Sequence, residues 1–324
     1  VTIALSARPY GGDTDTQAVC DLLNLCDAAY QLDDNYDVES LRVEFANPRI
    51  DQQRDLRLWE DGDGRLVGFG QLWIGDPAPG ATEADASLYM RVHPEARGPL
   101  DDEVLAWAEA RVRELGRERG LPPLLRSGTA DHYAVQHELL KRHGYEIERY
   151  FFTMERQLDL PIPEAALPEG YRLFTPQTQD DHVRWLDAFN MSFIDHWNHH
   201  PASLEEHMHW IGNEPYYRGD LTLLAEAPDG QVAAFCFCFI HTAENERNNR
   251  LAGWIASLGT RRGFRKLGLG RNMLLLGMQR LKAEGMRTAR LGVDAENPSG
   301  ALRLYESVGF EPIMKRVSYA KRLG

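Results

Sequence analysis

Cysteine is scarce, with four in 324 residues. Cys20 and Cys26 fall in a helical apolar pattern, and Cys236 and Cys238 share one face of a strand-like run. That spacing is no disulfide framework, and four buried thiols in a reducing compartment are the expectation. Long hydrophobic runs are missing too. The longest, Val232 to Ile240, is far too short to cross a bilayer, and the N-terminal stretch has no apolar signal-peptide core, so the expected setting is cytoplasmic. Positive charge is in deficit: 36 Lys and Arg against 49 Asp and Glu give a net charge of −13. Such a chain repels nucleic acid and anionic membrane, and neither is expected as a partner. Metal-ligand spacing is also wanting. His196 and His199 form a His-x-x-His, but no second ligand pair at zinc-site spacing accompanies them, so no metal is expected.

The length suggests about two domains, and the order of elements says the same. From the start, a strand (Thr2 to Ala7), a helix (Thr14 to Tyr30), a strand pair turned at Asp61–Gly64, another strand (Ala86 to Val92), a helix (Asp101 to Arg119), a short strand (Leu124 to Arg126), a helix (His132 to His143) and a strand (Ile147 to Met154) follow from periodicity and turn residues. Pro161, Pro163 and Pro168 then mark an extended linker. After it the order recurs, from a strand at Tyr171 to a last strand at Ile313–Tyr319. Gly144-Tyr145 and Gly309-Phe310 stand 165 positions apart, as do Leu158 and Leu323. A repeat at half the chain length means a duplicated domain. The expected division is 1–158, a linker 159–170, and 171–324.

Trp254 to Gly270 is an apolar strand ending in a basic, glycine-bearing turn. A helix follows, with Leu274, Met278 and Leu281 on one face and Gly285 as its stop. Strand, glycine turn and helix make an anion cradle, because the free N–H groups of the first helical turn and the dipole's positive end meet the ligand. Arg261, Arg262, Arg265, Lys266 and Arg271 add charge there. The turn is no dinucleotide fingerprint, since Met273 stands where a third glycine would be needed. Nor is it a P-loop, since Gly270 is followed by Arg271 and Asn272.

What remains is R-x-x-G-x-G at Arg265, Gly268 and Gly270, with Asn297-Pro298 and the run Ala301, Leu302, Tyr305, Gly309-Phe310 downstream. Together these resemble the two halves of the acyl-CoA site of the GNAT acetyltransferase superfamily, and the motifs cover about the last quarter of the chain. The duplication makes the whole similar to the tandem, mycothiol-synthase-like members. The resemblance implies an α/β (α+β) architecture of two tandem GNAT folds, each a mixed, mostly antiparallel sheet with helices on both faces. It implies acyl transfer, with acetyl-CoA as donor and the primary amine of a small molecule or peptide as acceptor. The chain is expected to act as a monomer or homodimer. Cofactor contacts are carried onto Leu258, Gly259, Thr260, Arg265, Lys266, Leu267, Gly268, Leu269, Gly270, Arg271, Asn297 and Tyr305. A backbone N–H near Leu258 and Gly259 would hold the oxyanion, and Tyr305 would protonate the leaving thiolate. Asn297 also reads as a helix N-cap with Pro298 at the first helical position.

The base is less determined. In the mycothiol synthases a glutamate is expected early in the fourth strand, and alignment of strand ends places Trp254 there. Glu244, Glu246 and Asp294 are nearby, with Glu244 and Asp294 carried forward as catalytic candidates. Asp195, His196 and Trp197 fall between the first two helices of the second half, the region that walls the acceptor site in this fold, and with Trp254 they are the expected substrate contacts. The first half departs from the cofactor pattern. Its loop reads Arg97-Gly98-Pro99-Leu100-Asp101-Asp102, and Leu140 stands at the place of Tyr305. Carboxylates facing a pyrophosphate would cost several kcal/mol, so one cofactor per chain is expected. Two other functions stay open: mycothiol-synthase-like acetylation of a thiol sugar amine, and acyl-CoA binding without chemistry.

Overall fold

The computed structural model describes residues 5–77, 80–297 and 300–324. Thr2, the start of the first expected strand, and Pro298 lie outside the described residues. The chain divides into two compact units, Val1–Tyr150 with Arg316–Gly324, and Phe151–Lys315.

In the first unit β1 (Ser6–Pro9) is followed by α1 (Asp13–Tyr30), α2 (Val38–Phe45), the β2 (Leu56–Glu60) and β3 (Leu66–Trp73) hairpin, and β4 (Ala84–Val92). Then come α3 (Pro99–Arg119), β5 (Pro123–Ala130) and α4 (Ala134–Arg142). Neighbouring strands are antiparallel except β4 and β5, which run parallel. Helix α3 starts and stops where its sequence dictates. Pro99 stands in its first turn, where a missing N–H costs nothing, and Gly120 closes it in the left-handed region at φ 64°. Val104, Leu105, Ala108 and Val112 bury one face of α3 against one side of the sheet, while α1 and α2 cover the other around Phe45 and Phe69.

The chain continues through β6 (Glu146–Gln157), β7 (Arg172–Phe174), α5 (Gln179–Phe193), α6 (Leu204–Asn213), β8 (Thr222–Glu226) and β9 (Val232–Phe239). It goes on through α7 (Thr242–Arg247), β10 (Ala252–Thr260), α8 (Leu269–Ala283), β11 (Thr288–Asp294), α9 (Ala301–Ser307) and β12 (Glu311–Arg322). The second unit's sheet repeats the first: β7 to β10 are antiparallel, and β10 and β11 run parallel. Helix α8 packs on one face, where Gly277 admits the Cys236 and Cys238 thiols, and a methyl on Gly277 would stand 2.5 Å from Cys236 Sγ. Trp185 of α5 and Trp210 beyond it cover the other face over Phe235 and Phe237. All four cysteines are buried thiols outside any disulfide.

The division differs from the sequence expectation in one respect. Each sheet is finished by a strand from the far side of the chain. Residues 151–157 of β6 pair antiparallel with β11 in the second unit, and residues 316–322 of β12 pair antiparallel with β5 in the first. The two strands occupy equivalent places in the repeat and have the same length, so pattern alone does not say which partner each takes. The proline-bearing segment 159–170 is no free tether. Ile162, Ala165 and Leu167 pack against the second unit's core, and Arg156 Nη2 donates to the Pro161 carbonyl at 2.8 Å. Among the described residues no helix is long and apolar enough to cross a membrane.

Candidate active site

The site starts where β10 parts from β11. Their parallel pairing runs from Ala252↔Thr288 to Trp254↔Arg290, while β10 stays paired to β9 as far as Thr260. A bulge between Ile255 and Ser257 shifts the register against β9 at the same point. Successive N–H groups of a strand alternate between its two edges, so beyond the bulge part of the β10 backbone faces the opening rather than a partner strand. Leu258 and Gly259 lie on this stretch. Gly259 is also a packing requirement, because a methyl there would stand 2.3 Å from the Phe235 ring.

The turn that follows is tight for two reasons. Lys266 and Gly268 sit at φ 67° and 78°, and Gly268 caps α8 without any side-chain hydrogen bond to the helix start. Gly270, in the first turn of α8, passes so close to β10 that a Cβ would stand 3.3 Å from Thr260 Oγ1 and 3.8 Å from Leu304. Lys266, Leu267, Gly268 and Arg271 are exposed, while Leu269 is buried and anchors the helix. Asn272 steadies the turn, donating through Nδ2 to the Gly268 carbonyl at 3.2 Å and accepting from the Ala166 N–H at 3.2 Å. An uncapped helix start, a glycine-lined approach and surrounding cations fit a phosphate-bearing ligand.

The arginines of the turn are engaged. Arg265 donates to the Thr260 carbonyl at 3.3 Å, to the Ser192 carbonyl at 3.0 Å and to Asp195 at 2.9 Å. Arg262 also pairs with Asp195, and Arg261 with Asp187. The two arginines hold the Asp195 carboxyl below its usual range. The structure therefore ties Asp195 to the basic turn, where it braces the end of α5, rather than leaving it on the acceptor side.

Tyr305 lies within α9, buried, with its ring edge-on to Phe310 at 6.1 Å. It belongs to the same core cluster as Cys236, and burial, then the Cys236 thiol, raise its phenol, which stays protonated through neutral pH. Cys236 is the register partner of Leu258, and Leu304, the residue before Tyr305, lies 3.8 Å from a Cβ placed at Gly270, so α9 lies beside the start of α8. Asn297 is not the helix cap that Asn-Pro suggested. Helix α9 begins at Ala301 with Gly300 as its cap at φ 75°, and Asn297 instead closes a turn, its N–H donating to the Asp294 carbonyl at 3.2 Å. Asp294 is buried and accepts the Glu296 N–H at 2.9 Å. Through that bond it ties down the loop after β11.

Glu244 is placed differently. It belongs to α7, a six-residue helix whose pattern is too short to show in the sequence. The helix is capped by His241, whose Nδ1 accepts the Glu244 N–H at 3.0 Å. The Glu244 carboxylate pairs with Arg250 and reaches the Trp254 indole N–H at 3.4 Å. The sheet thus presents an indole where a glutamate was expected, with a carboxylate from the neighbouring helix at its edge. The Arg290 guanidinium lies 6.0 Å from the centroid of that indole and is itself held by Glu155 of β6 at 2.8 Å. Neither Arg290 nor Glu155 was singled out by sequence, because the exchange of β6 brings them together.

Trp197 packs its ring 5.6 Å from Phe151. His196 Nδ1 lies 3.0 Å from the Trp197 carbonyl and its ring edge-on to Phe193. Burial, then His200 and His196, depress His199. His207, against Trp185, is pushed down to about 4 by burial and by His182. The His199 and His207 imidazoles are neutral packing groups at physiological pH, and among the described residues no cluster of three or more His, Cys, Asp or Glu could hold a metal.

At the matching turn of the first unit, Gly98 sits at φ 99° and its N–H donates to Asp101 Oδ2 at 2.8 Å. Arg97 lies 3.0 Å from the same oxygen. Asp101 is buried, and burial raises its carboxyl against the pull of Arg97. Asp102 accepts from Arg142 and from His143 at 2.8 Å. The helix start is met by the chain's own carboxylates, and Leu100 is fully buried beside it.

Comparison with known proteins matches this geometry. The model of the acetyltransferase (GNAT) family matches residues 182–310. A mycothiol acetyltransferase of Streptomyces bingchenggensis is 30% identical over 261 residues, covering 79% of this chain and 78% of that protein. One from Thermobispora bispora is 30% identical over 318 residues, covering 96% of each. Among solved structures, a GCN5-related N-acetyltransferase from Sphaerobacter thermophilus superposes with a TM-score of 0.72 at 24% identity, covering 98% of this chain and 96% of that one. A tandem GNAT protein from the clavulanic acid biosynthesis pathway gives 0.71 at 18% identity, with 99% of each chain covered. The chain belongs to the GNAT acetyltransferases, in their tandem form. It is an acyl-CoA-dependent N-acetyltransferase.

Proposed function

We propose that the second unit moves an acetyl group from acetyl-CoA to the primary amine of a small molecule or peptide by direct transfer. The observation that carries this reading is the opening of β10 from β11 directly before an uncapped, glycine-lined helix start. Acetyl-CoA supplies an activated thioester. The N–H groups at the start of α8 hold its phosphates, with Lys266, Arg271 and the arginines before them as the surrounding charge. The backbone edge at Leu258 and Gly259, beyond the pairing of β10 with β11, orients the arm and stabilises negative charge on the acyl oxygen. Tyr305 gives its proton to the departing sulfur, a thiol with an ordinary pKa near 8.5. Glu244 takes the proton of the incoming amine directly or through water, and Trp254 walls the acceptor beside it.

A second reading, acetylation of a thiol sugar amine, has the curated relatives in its favour, since they are mycothiol acetyltransferases over most of their length. Trp254 in place of the expected glutamate speaks for the broader amine reading. Binding without chemistry has no support, since these relatives are enzymes. The test is release of free CoA thiol from acetyl-CoA over a panel of primary amines that includes a cysteinyl amino sugar. Amine-dependent release with matching N-acetyl product is expected. Release no faster than thioester hydrolysis for every amine contradicts the reading.

A further inference from the structure

Strands β10 and β11 carry glycine at 253, 259 and 292. Glycine weakens a strand interior, and it stands there where another group must come close. For two of the three the fold itself supplies that group. A methyl on Gly253 would stand 2.5 Å from Leu281 of α8, and one on Gly259 would stand 2.3 Å from the Phe235 ring. Gly292 has no such neighbour, since a Cβ there would meet no atom within 4 Å. Its φ also lies outside the left-handed region. Neither packing nor backbone conformation accounts for the missing side chain, and Gly292 is exposed between buried Leu291 and Val293.

What surrounds Gly292 follows from strand register. Ala289, Leu291 and Val293 belong to the core under α8, so Arg290 and Gly292 face the other side of the sheet. On β10, Gly253 meets Leu281, and Ile255 approaches Gly277, which turns Trp254 to that other side as well. Pairing then sets Trp254, Arg290 and Glu155 in one row, with Gly292 and Thr153 in the next. Phe151 is the following residue of β6 on the same face, and the Trp197 ring lies 5.6 Å from it. The first row is tall and fixed, because Glu155 holds Arg290 at 2.8 Å beside the indole. Between it and Phe151 the face drops to a hydrogen and a threonine. The distance from Glu155 to Phe151 along β6 is about 13 Å at the usual strand rise. Gly292 is two residues beyond the last β10–β11 pair, so the hollow lies beside the parted edge that the amine must reach. Aromatic walls at its two ends suit a ring, which a slender alkyl chain would not replace.

We propose that Gly292 sets the bulk of the acceptor: the hollow over it, walled by Trp254 at one end and by Phe151 with Trp197 at the other, receives a ring carried by the amine. The preferred acceptors are therefore ring-bearing primary amines. The inference rests on acetyl transfer by the second unit.

The test is kcat/KM for acetylation of two amine pairs, benzylamine against propylamine and glucosamine against ethanolamine, by the full chain and its Gly292→Ala and Gly292→Leu variants. CoA affinity and unfolding temperature are measured on all three proteins. The ring-to-linear ratio is expected to fall roughly tenfold or more from wild type to Gly292→Leu, the size of a lost apolar burial, with Gly292→Ala between them. CoA affinity should be unchanged in both variants. Their unfolding temperatures should equal or exceed that of wild type, because a side chain at 292 meets open space and stiffens the unfolded chain. A ratio unchanged in Gly292→Leu overturns the inference. So does a lower unfolding temperature in Gly292→Ala, which would make the glycine a packing requirement. Transfer to none of the four, by a protein that acetylates another primary amine, overturns it too. Transfer to no amine at all counts instead against the reading of the second unit.

Discussion

Tyr305→Phe is expected to lower kcat by about 100- to 10,000-fold, the range for losing a positioned proton donor, while CoA affinity stays within a few-fold. The ring is the reason the two effects separate. Its contacts with Phe310 and the core are apolar and survive the change, and no hydrogen bond of the Tyr305 hydroxyl to a described residue is lost with it. The unfolding temperature should therefore barely move. If the phenol is the acid, an acyl donor with a more acidic leaving thiol, which needs less protonation, recovers part of the loss. Rates unchanged in Tyr305→Phe would make the residue a core aromatic and nothing more.

Glu244→Gln carries the second large effect. Removing the charge takes away the only carboxylate among the described residues that touches Trp254, and kcat/KM should fall by about 100-fold or more if it receives the amine proton. The change also removes the ion pair between Glu244 and Arg250, with a stability cost of roughly 1–3 kcal/mol. The two consequences separate by pH. A base defect shrinks as pH rises and more of the amine arrives already deprotonated, whereas a purely structural defect does not follow the amine's titration. Activity loss independent of pH, tracking the loss of stability, would remove Glu244 from the chemistry.

Much of the site is legible because its chemistry is local. The glycines at 268 and 270 are forced by a left-handed cap and a 3.3 Å approach to Thr260, so the residues announce the turn. Helix α8 shows equally well, since Leu274, Met278 and Leu281 recur on its buried face. The first half's departure from the cofactor-loop pattern is similarly plain in Asp101, which accepts the N–H of Gly98. What does not show is long-range or short. The exchange of β6 and β12 depends on which of two equivalent strands docks, and the repeat makes their patterns alike. Helix α7 spans six residues and has no period to read. Helix α9 begins at Ala301, so Asn297 terminates the strand loop instead of capping a helix. Asp195 looks like an acceptor contact by position, but the side chains of Arg262 and Arg265 reach back to it across the turn.

The account rests on a single CoA pocket, in the second unit, cradled by the backbone after Arg265. Calorimetric titration of the full chain with CoA, beside Gly270→Val, tests it most directly. A side chain at 270 meets Thr260 and Leu304 and fills the approach while a helix remains possible. One CoA per chain in wild type, and none in a Gly270→Val protein that still unfolds cooperatively, is the predicted result. Two equivalent sites per chain, or CoA affinity untouched by Gly270→Val, would contradict it.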